Sequence, residues 1–302
     1  EASVFIFEKK IADKIHKPRR RETVSEVLRK EVQYLQKIKH PKFLGILHPL
    51  EECHNNVAFA TEPIYASLAN LLGDWERMPQ QIPQEIKDYE LIELEIKYGI
   101  LQMTEALSYL HSTEQLMHRN VSPQSILLTK RGSWKLAGLG FAEKIRDGKD
   151  SIHCQPWTSK IPKMAQPDLN YFPPETQLHK TCSTLSDMFS LGMVVCAIFN
   201  GGNSLIDAEH NTSQYLKQVD QLTHKFGEVV HRMPMELVEA VEKMINKDVR
   251  YRPTPQLFSL VKYFNNPLVS CLEQLDIVDQ RGSREKAEIY ATLSALIPNM
   301  PK

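Results

Sequence analysis

The chain has 302 residues, enough for two packed lobes around sizeable cores. Lys+Arg and Asp+Glu balance at 37 each, so no global field recruits nucleic acid or a membrane, and 25% charged beside 42% hydrophobic residues is an ordinary globular composition. No apolar run approaches the ~20 residues that span a bilayer, and the five cysteines (Cys53, Cys154, Cys182, Cys196, Cys271) are too widely spaced for a disulfide framework or a zinc pattern, which suits a reducing, cytosolic compartment.

The chain opens in a strand-like run without Met, so a preceding segment is expected to have been trimmed. Ser3-Val4-Phe5-Ile6-Phe7 reads as a strand. Lys14-Ile15-His16-Lys17-Pro18-Arg19-Arg20-Arg21 reads as a basic loop, either a solvated connector or a patch for anionic lipid or an acidic partner. Helical spacing follows over 23–39, with Val24, Val27, Leu28, Glu31, Leu35 and Ile38 on one face. Strands are expected over 44–51 and 57–61 with a turn at His54-Asn55-Asn56, and Thr61-Glu62-Pro63-Ile64 is expected to be the hinge between two lobes.

A short helix over 67–72 and a polar, proline-bearing insertion over 73–90 precede a long helix over 93–111 carrying Ile96, Ile100, Met103, Leu107 and Leu110 on one face. Ile126 to Leu128 and Ser133 to Leu136 form a hairpin pattern, and 146–169 is loop-like. The run 187–199 is apolar on nearly every side, as a helix buried all round must be. Helices are expected over 213–223, 234–246 and 254–264, with two amphipathic helices after Pro267 over 269–277 and 284–296. His153-Cys154 lacks a second pair at ligand spacing, so no metal site is expected.

The stretch Met117-His118-Arg119-Asn120-Val121-Ser122-Pro123-Gln124-Ser125 resembles a protein-kinase catalytic loop, H-R-D-L-x-x-x-N, with its chemistry removed. Asn120 stands where an Asp would accept the substrate proton, and an amide oxygen is almost non-basic. Ser125 replaces the magnesium-holding Asn, and a neutral hydroxyl is a weak ligand for a hard dication. Ser122 replaces the nearby lysine. Lys135-Leu136-Ala137-Gly138-Leu139-Gly140-Phe141 resembles the K-L-x-D-F-G phrase with Gly138 for its Asp, and Ala2-Ser3-Val4-Phe5 resembles V-A-I-K with Phe5 for its Lys. Pro173-Pro174-Glu175, Ser186-Asp187-Met188-Phe189-Ser190-Leu191-Gly192 and Asp248-Val249-Arg250-Tyr251-Arg252-Pro253 resemble the later structural phrases of that fold, in order.

The resemblance implies an α+β, bilobal protein-kinase-like fold: an N-lobe over 1–64 without its Gly-rich loop, a C-lobe over 65–266, and over 267–302 the start of a HEAT-type helical extension. It makes Glu31, His118, Arg119, Leu139, Glu175, Asp187 and Arg252 structural, with Glu175 and Arg252 paired, Asp187 on the catalytic-loop backbone, and Leu35 and Ile46 in the apolar column with His118 and Leu139. Thr61, Glu62, Ile64 and Leu127 become the nucleotide-pocket candidates. Without a strand lysine, Glu31 must find another partner, turn to solvent or carry a raised pKa, and Glu31→Gln is expected to cost under ~1 kcal/mol. Ser151, Thr158 and Ser159 lie in the activation-like segment, where phosphorylation could bring them to Arg119.

Thr61-Glu62-Pro63-Ile64-Tyr65-Ala66-Ser67-Leu68-Ala69-Asn70, Trp134-Lys135 and the helical tail resemble the SCY-like family of N-terminal kinase-like proteins, nearest its coated-vesicle-associated branch. That implies a non-catalytic scaffold in clathrin-dependent traffic between trans-Golgi, endosomes and plasma membrane. Its partners would be the clathrin coat and clathrin adaptors, with peripheral membrane association and no nucleic acid. No cofactor is required. ATP binding without magnesium stays open, and magnesium-dependent binding is not expected. The alternatives are a weak Ser/Thr kinase, favoured by the near-intact His118-Arg119 pair, and an ATP sensor without turnover.

Overall fold

The computed structural model of the chain describes residues 1–11, 18–76, 78, 81–145 and 151–299, with the backbone alone over 18–23. Strands β1 (Ser3–Glu8), β2 (Ile46–Glu52) and β3 (Asn56–Thr61) form an antiparallel sheet in the order β1-β3-β2. In β1 the period of two puts Ser3, Phe5 and Phe7 on one face, opposite Thr61, Phe59 and Val57.

Helix α1 (Pro18–Lys37) packs beneath this sheet. It buries Val24, Val32 and Leu35, with Ile38 buried just past its end, so the apolar stripe includes Val32 beyond the residues expected. The helix also begins five residues earlier than its apolar pattern. Pro18 suits a first helical turn, where its missing N–H has no helical partner to lose. Pro18 to Arg21 are therefore helical, which corrects the reading of that stretch as loop. Lys14 to Lys17 lie outside the described residues.

The bilobal α+β arrangement expected from the sequence is the one found, with a largely helical second lobe. Its first layer is a sheet of β4 (Ile64–Ser67), β6 (Ile126–Thr129) and β7 (Trp134–Leu136), with short pairings of β5 (Leu116–Met117) to β8 (Glu143–Lys144) and β9 (Ile152–His153) to β10 (Thr181–Cys182). Two long helices fill the centre: α2 (Glu93–Ser112) and α3 (Thr184–Phe199). Ser183 caps α3 through a reciprocal box with Ser186, and the helix is buried on all sides, as its composition requires.

Three expectations need correction. The helix over 213–223 is two, Thr212–Asp220 and Leu222–Val229, meeting at Gln221. The helix over 254–264 shrinks to Pro255–Phe258 and a separate 3-10 turn at Lys262–Phe264, because Leu257 and Leu260 face solvent and no apolar stripe carries the helix onward. Cys154 and Cys182, expected to be unpaired, form a disulfide between residues adjoining β9 and in β10, with Cα atoms 6.1 Å apart. A sequence separation of 28 hides this closeness from the sequence.

Helices α4 (Pro267–Asp276) and α5 (Ser283–Leu296) follow. Helix α4 is joined to the core: Val269 and Cys271 are buried, and Asp276 accepts hydrogen bonds from Lys42 and from Tyr98 Oη on α2. Among the described residues no helix is long and apolar enough to cross a membrane.

Candidate functional site

The loop from His118 to Ser125 is held by one carboxylate. Asp187, on α3 and 1% exposed, accepts from the amides of His118 and Arg119 and from His111 Nε2, each at 2.8 Å. Arg119 sits at φ 64°, in the left-handed region that a side chain disfavours, and the bond to its amide is what holds it there. Burial opposes charge on Asp187, but the His111 hydrogen bond, the two nearby histidines and the Arg119 amide outweigh it and keep the carboxyl below its ordinary range. His118 receives the Asn120 amide on Nδ1 at 3.1 Å and donates from Nε2 to the Ala137 carbonyl at 2.7 Å, a pattern that fixes one neutral tautomer. Burial pushes its pKa down accordingly.

Below the loop, Arg252 makes a forked pair with Glu175, both bonds 2.8 Å and both residues buried. Ser186 Oγ adds a bond to Glu175 at 2.6 Å, and the Arg252 guanidinium lies 4.9 Å from the centre of the Phe189 ring. Leu139 and Leu35 are buried in the main core with Ile46 packed against it, and His118 is fully buried beside them in the loop.

The degenerate positions lie together at the cleft. Ser125 is buried and spends its hydroxyl inside its own turn, donating to the Ser122 carbonyl at 2.9 Å and accepting from the Ser122 amide at 3.0 Å. Asn120 Nδ2 is 3.5 Å from the Gly138 carbonyl oxygen. Gly138 has φ 81°, and a Cβ there would lie 2.7 Å from Ser125 Cβ and 3.0 Å from Asn120 Nδ2. A side chain at 138 would therefore crowd, from its first carbon, the residues that replaced the other two functional groups. Among the described residues no three His, Cys, Asp or Glu side chains converge as a metal-ligand set.

Glu31 reaches from α1 to the next turn. Its two carboxylate oxygens accept from the amides of Gly138 and Gly140, each at 2.8 Å. Burial drives its pKa up to about 7 against the pull of these amides. Phe5 occupies the neighbouring strand position and stacks on Phe59, with centroids 4.9 Å apart and planes at 3°. Lys9 is tied to Glu52 at 2.5 Å and Lys10 to Glu8 at 2.7 Å, at the far end of β1.

Of the expected pocket residues, only Leu127 lines the cleft cavity, whose volume is about 420 Å³. Thr61, Glu62 and Ile64 do not. Thr61 donates to the Glu62 carbonyl at 2.9 Å, and the Glu62 side chain turns out to the Gly45 amide at 2.8 Å. The Ile64 amide donates to Ser3 Oγ at 2.9 Å. The sequence reading missed this role of Ser3, although the alternation of β1 places it on the same face as Phe5. The second omission is Glu143, which forms an ion pair with Arg119. Arg119 thus already holds an anion without any phosphorylation of Ser151, Thr158 or Ser159.

A protein kinase domain model matches residues 7–264. SCY1-like protein 2 of Homo sapiens is 35% identical over 307 residues, covering 100% of this chain and 33% of that protein. Protein kinase-like protein SCY1 of Saccharomyces cerevisiae is 29% identical over 285 residues, covering 91% and 35%. A protein of Dictyostelium discoideum named probable inactive serine/threonine-protein kinase scy1 is 26% identical over 277 residues, covering 91% and 29%. The chain spans about a third of the length of these relatives.

Proposed function

The chain belongs to the protein kinase domain family, in its SCY1-like branch, and from that premise we propose that it is a pseudokinase scaffold. The observation that carries this reading is the packing at Gly138: no carboxylate stands at the place of the metal-holding residue, and a Cβ there would crowd Ser125 and Asn120, themselves neutral. Phosphoryl transfer consists mostly of positioning and charge neutralisation by metal and cations. A cleft with a carboxylate at Glu31 and phenylalanine at the lysine position supplies neither, so the residues present do not fit magnesium and a triphosphate. The intact parts, Asp187 on the loop and Arg252 on Glu175, serve folding.

The cellular role we propose is that of an adaptor in clathrin-dependent vesicle traffic between trans-Golgi, endosomes and plasma membrane, peripheral on coated vesicles, with the clathrin coat and its adaptors as partners. The sequence similarity to SCY1-like proteins supports this, and the helices after Pro267 would open a HEAT-type extension. The test is radiolabelled phosphate transfer to generic substrates and to the protein itself, beside rescue of cargo sorting in cells lacking it. Asn120→Ala should rescue at normal abundance. Transfer by wild type that Asn120→Ala abolishes would replace the scaffold with a weak kinase.

A further inference from the structure

We propose that the cleft bounded by β1, α1 and the turn at Leu139–Phe141 is a binding site for an uncharged, largely apolar small molecule rather than for a nucleotide. This rests on the reading of the cleft as one that transfers no phosphate, and extends it to the ligand class. The cavity, about 420 Å³, is in the range that encloses small organic ligands. Its walls include Phe5, Phe7, Phe59, Val27, Leu28 and Leu127, and among the described residues Glu31 is the single ionisable side chain lining it. A triphosphate entering here would be desolvated against a carboxylate with no cation among the described lining residues, which is costly in a low-dielectric cleft. The Thr61–Ile64 segment offers a purine little in return, because the Ile64 amide is already bound to Ser3 Oγ and Thr61 Oγ1 donates to the Glu62 carbonyl.

What the walls do offer is complementary to a flat apolar molecule. The parallel Phe5 and Phe59 rings present aromatic surface, and Glu31 retains acceptor capacity for one N–H or O–H after holding two amides. Burial raises the Glu31 pKa to about 7, so near neutral pH the acid is in part uncharged, which suits a neutral guest and not an anionic one.

The probe is N-phenyl-1-naphthylamine, an uncharged fluorescent amine, titrated into the whole chain. The expected result is a saturable one-site rise in fluorescence that millimolar ATP leaves unchanged, with or without magnesium. Val27→Trp, which fills the cavity from α1, should weaken binding at least tenfold, and Leu127→Trp from the opposite wall is the second filling variant should the first not fold. Leu257→Ala, on the exposed surface, should bind as wild type. Absence of saturable binding, displacement by ATP, or undiminished binding by a folded filling variant would overturn the proposal. Radiolabelled transfer on the same samples keeps the two readings apart: transfer alone would overturn the non-catalytic reading, while the dye reports ligand class by itself.

Discussion

The carboxylate of Glu31 accepts the amide of Gly138 at 2.8 Å, from a helix position where a kinase glutamate would pair with a lysine. The exchange of partner couples two parts of the fold. The amide of Gly140 binds the second oxygen, so α1 is stitched to the backbone of the turn at Leu139–Phe141. Gly140 approaches α1 so closely that a Cβ would lie 2.7 Å from the Val27 carbonyl oxygen. A lysine arriving from β1 would have to compete with these amides for the same two oxygens.

Glu31→Gln should therefore cost more than the ~1 kcal/mol expected from sequence alone. One amide keeps an acceptor and the other meets an NH2 group, a loss of about 1–3 kcal/mol for an unsatisfied buried donor. The pH dependence has a definite sign. The folded pKa of about 7 lies above the ordinary 4.5, so the folded state holds the proton more tightly than the unfolded chain. That contribution is full below pH 4.5 and is lost as pH rises through 7. Wild type should lose on the order of 1–3 kcal/mol relative to Glu31→Gln across this window, read by urea denaturation at pH 5 and pH 8. Parallel stabilities would show that the carboxyl titrates normally.

Gly138→Asp, the change that would restore an acid to the degenerate phrase, should not restore a metal site. The new Cβ would meet Ser125 Cβ at 2.7 Å with φ at 81°, so the backbone or the 122–125 turn must move. Strain of this kind costs about 1–3 kcal/mol. We expect a lower melting temperature and no magnesium-dependent thermal shift with ATP. A magnesium-dependent rise in melting temperature would show that the turn yields.

Arg252→Ala should be the most damaging single change among the residues discussed. It leaves Glu175 charged and buried with, among the described residues, only Ser186 Oγ as a side-chain hydrogen-bond partner, at a cost of about 3–5 kcal/mol, and frees the Asn246 carbonyl as well. Replacing both Glu175 and Arg252 by apolar residues of similar volume should recover part of that loss, since no charge is then stranded. Chemical denaturation of the single and double variants measures both, and a double variant no better than Arg252→Ala would place the loss in packing over Phe189.

The pattern of these effects shows what the sequence could and could not carry. Asp187, Glu175 and Arg252 were legible through the resemblance of their motifs to the structural phrases of the kinase fold, which implied their partners. The helix α3 was legible because it is apolar all round. The cleft was not, because its residues act through backbone groups and through absence of space. No periodicity announces that Ser3 will take the Ile64 amide, or that Ser125 will fill the space beside Gly138. The Cys154–Cys182 bond and the Arg119–Glu143 pair were hidden for the same reason, since both join segments whose approach only tertiary folding decides.

The junction between the core and α4 should respond to pH. Asp276 on α4 is held by Lys42 and by Tyr98 Oη, and Gln102 Nε2 lies 3.4 Å away. Beside them Glu105 on α2 lies 3.6 Å from Lys42 and faces Glu273 of α4. Burial raises the Glu105 pKa to about 7, Lys42 pulls it down, and Glu273 raises it again. With the folded pKa above the ordinary value, the stability this group contributes is present at pH 4.5 and lost as pH rises through 7, when two carboxylates confront each other across the α2–α4 contact. Hydrogen exchange in α4, corrected for the intrinsic rate, should show less protection at pH 8 than at pH 5.5, and Glu105→Gln should flatten the difference. Asp276→Ala should expose α4 and α5 to limited proteolysis at both pH values while costing the core only about 1–3 kcal/mol, the range for a lost buried acceptor. If protection in α4 is the same at both pH values in wild type, Glu105 and Glu273 do not share this contact. If Asp276→Ala leaves proteolysis unchanged, the burial of Val269 and Cys271 holds the helix without the clamp.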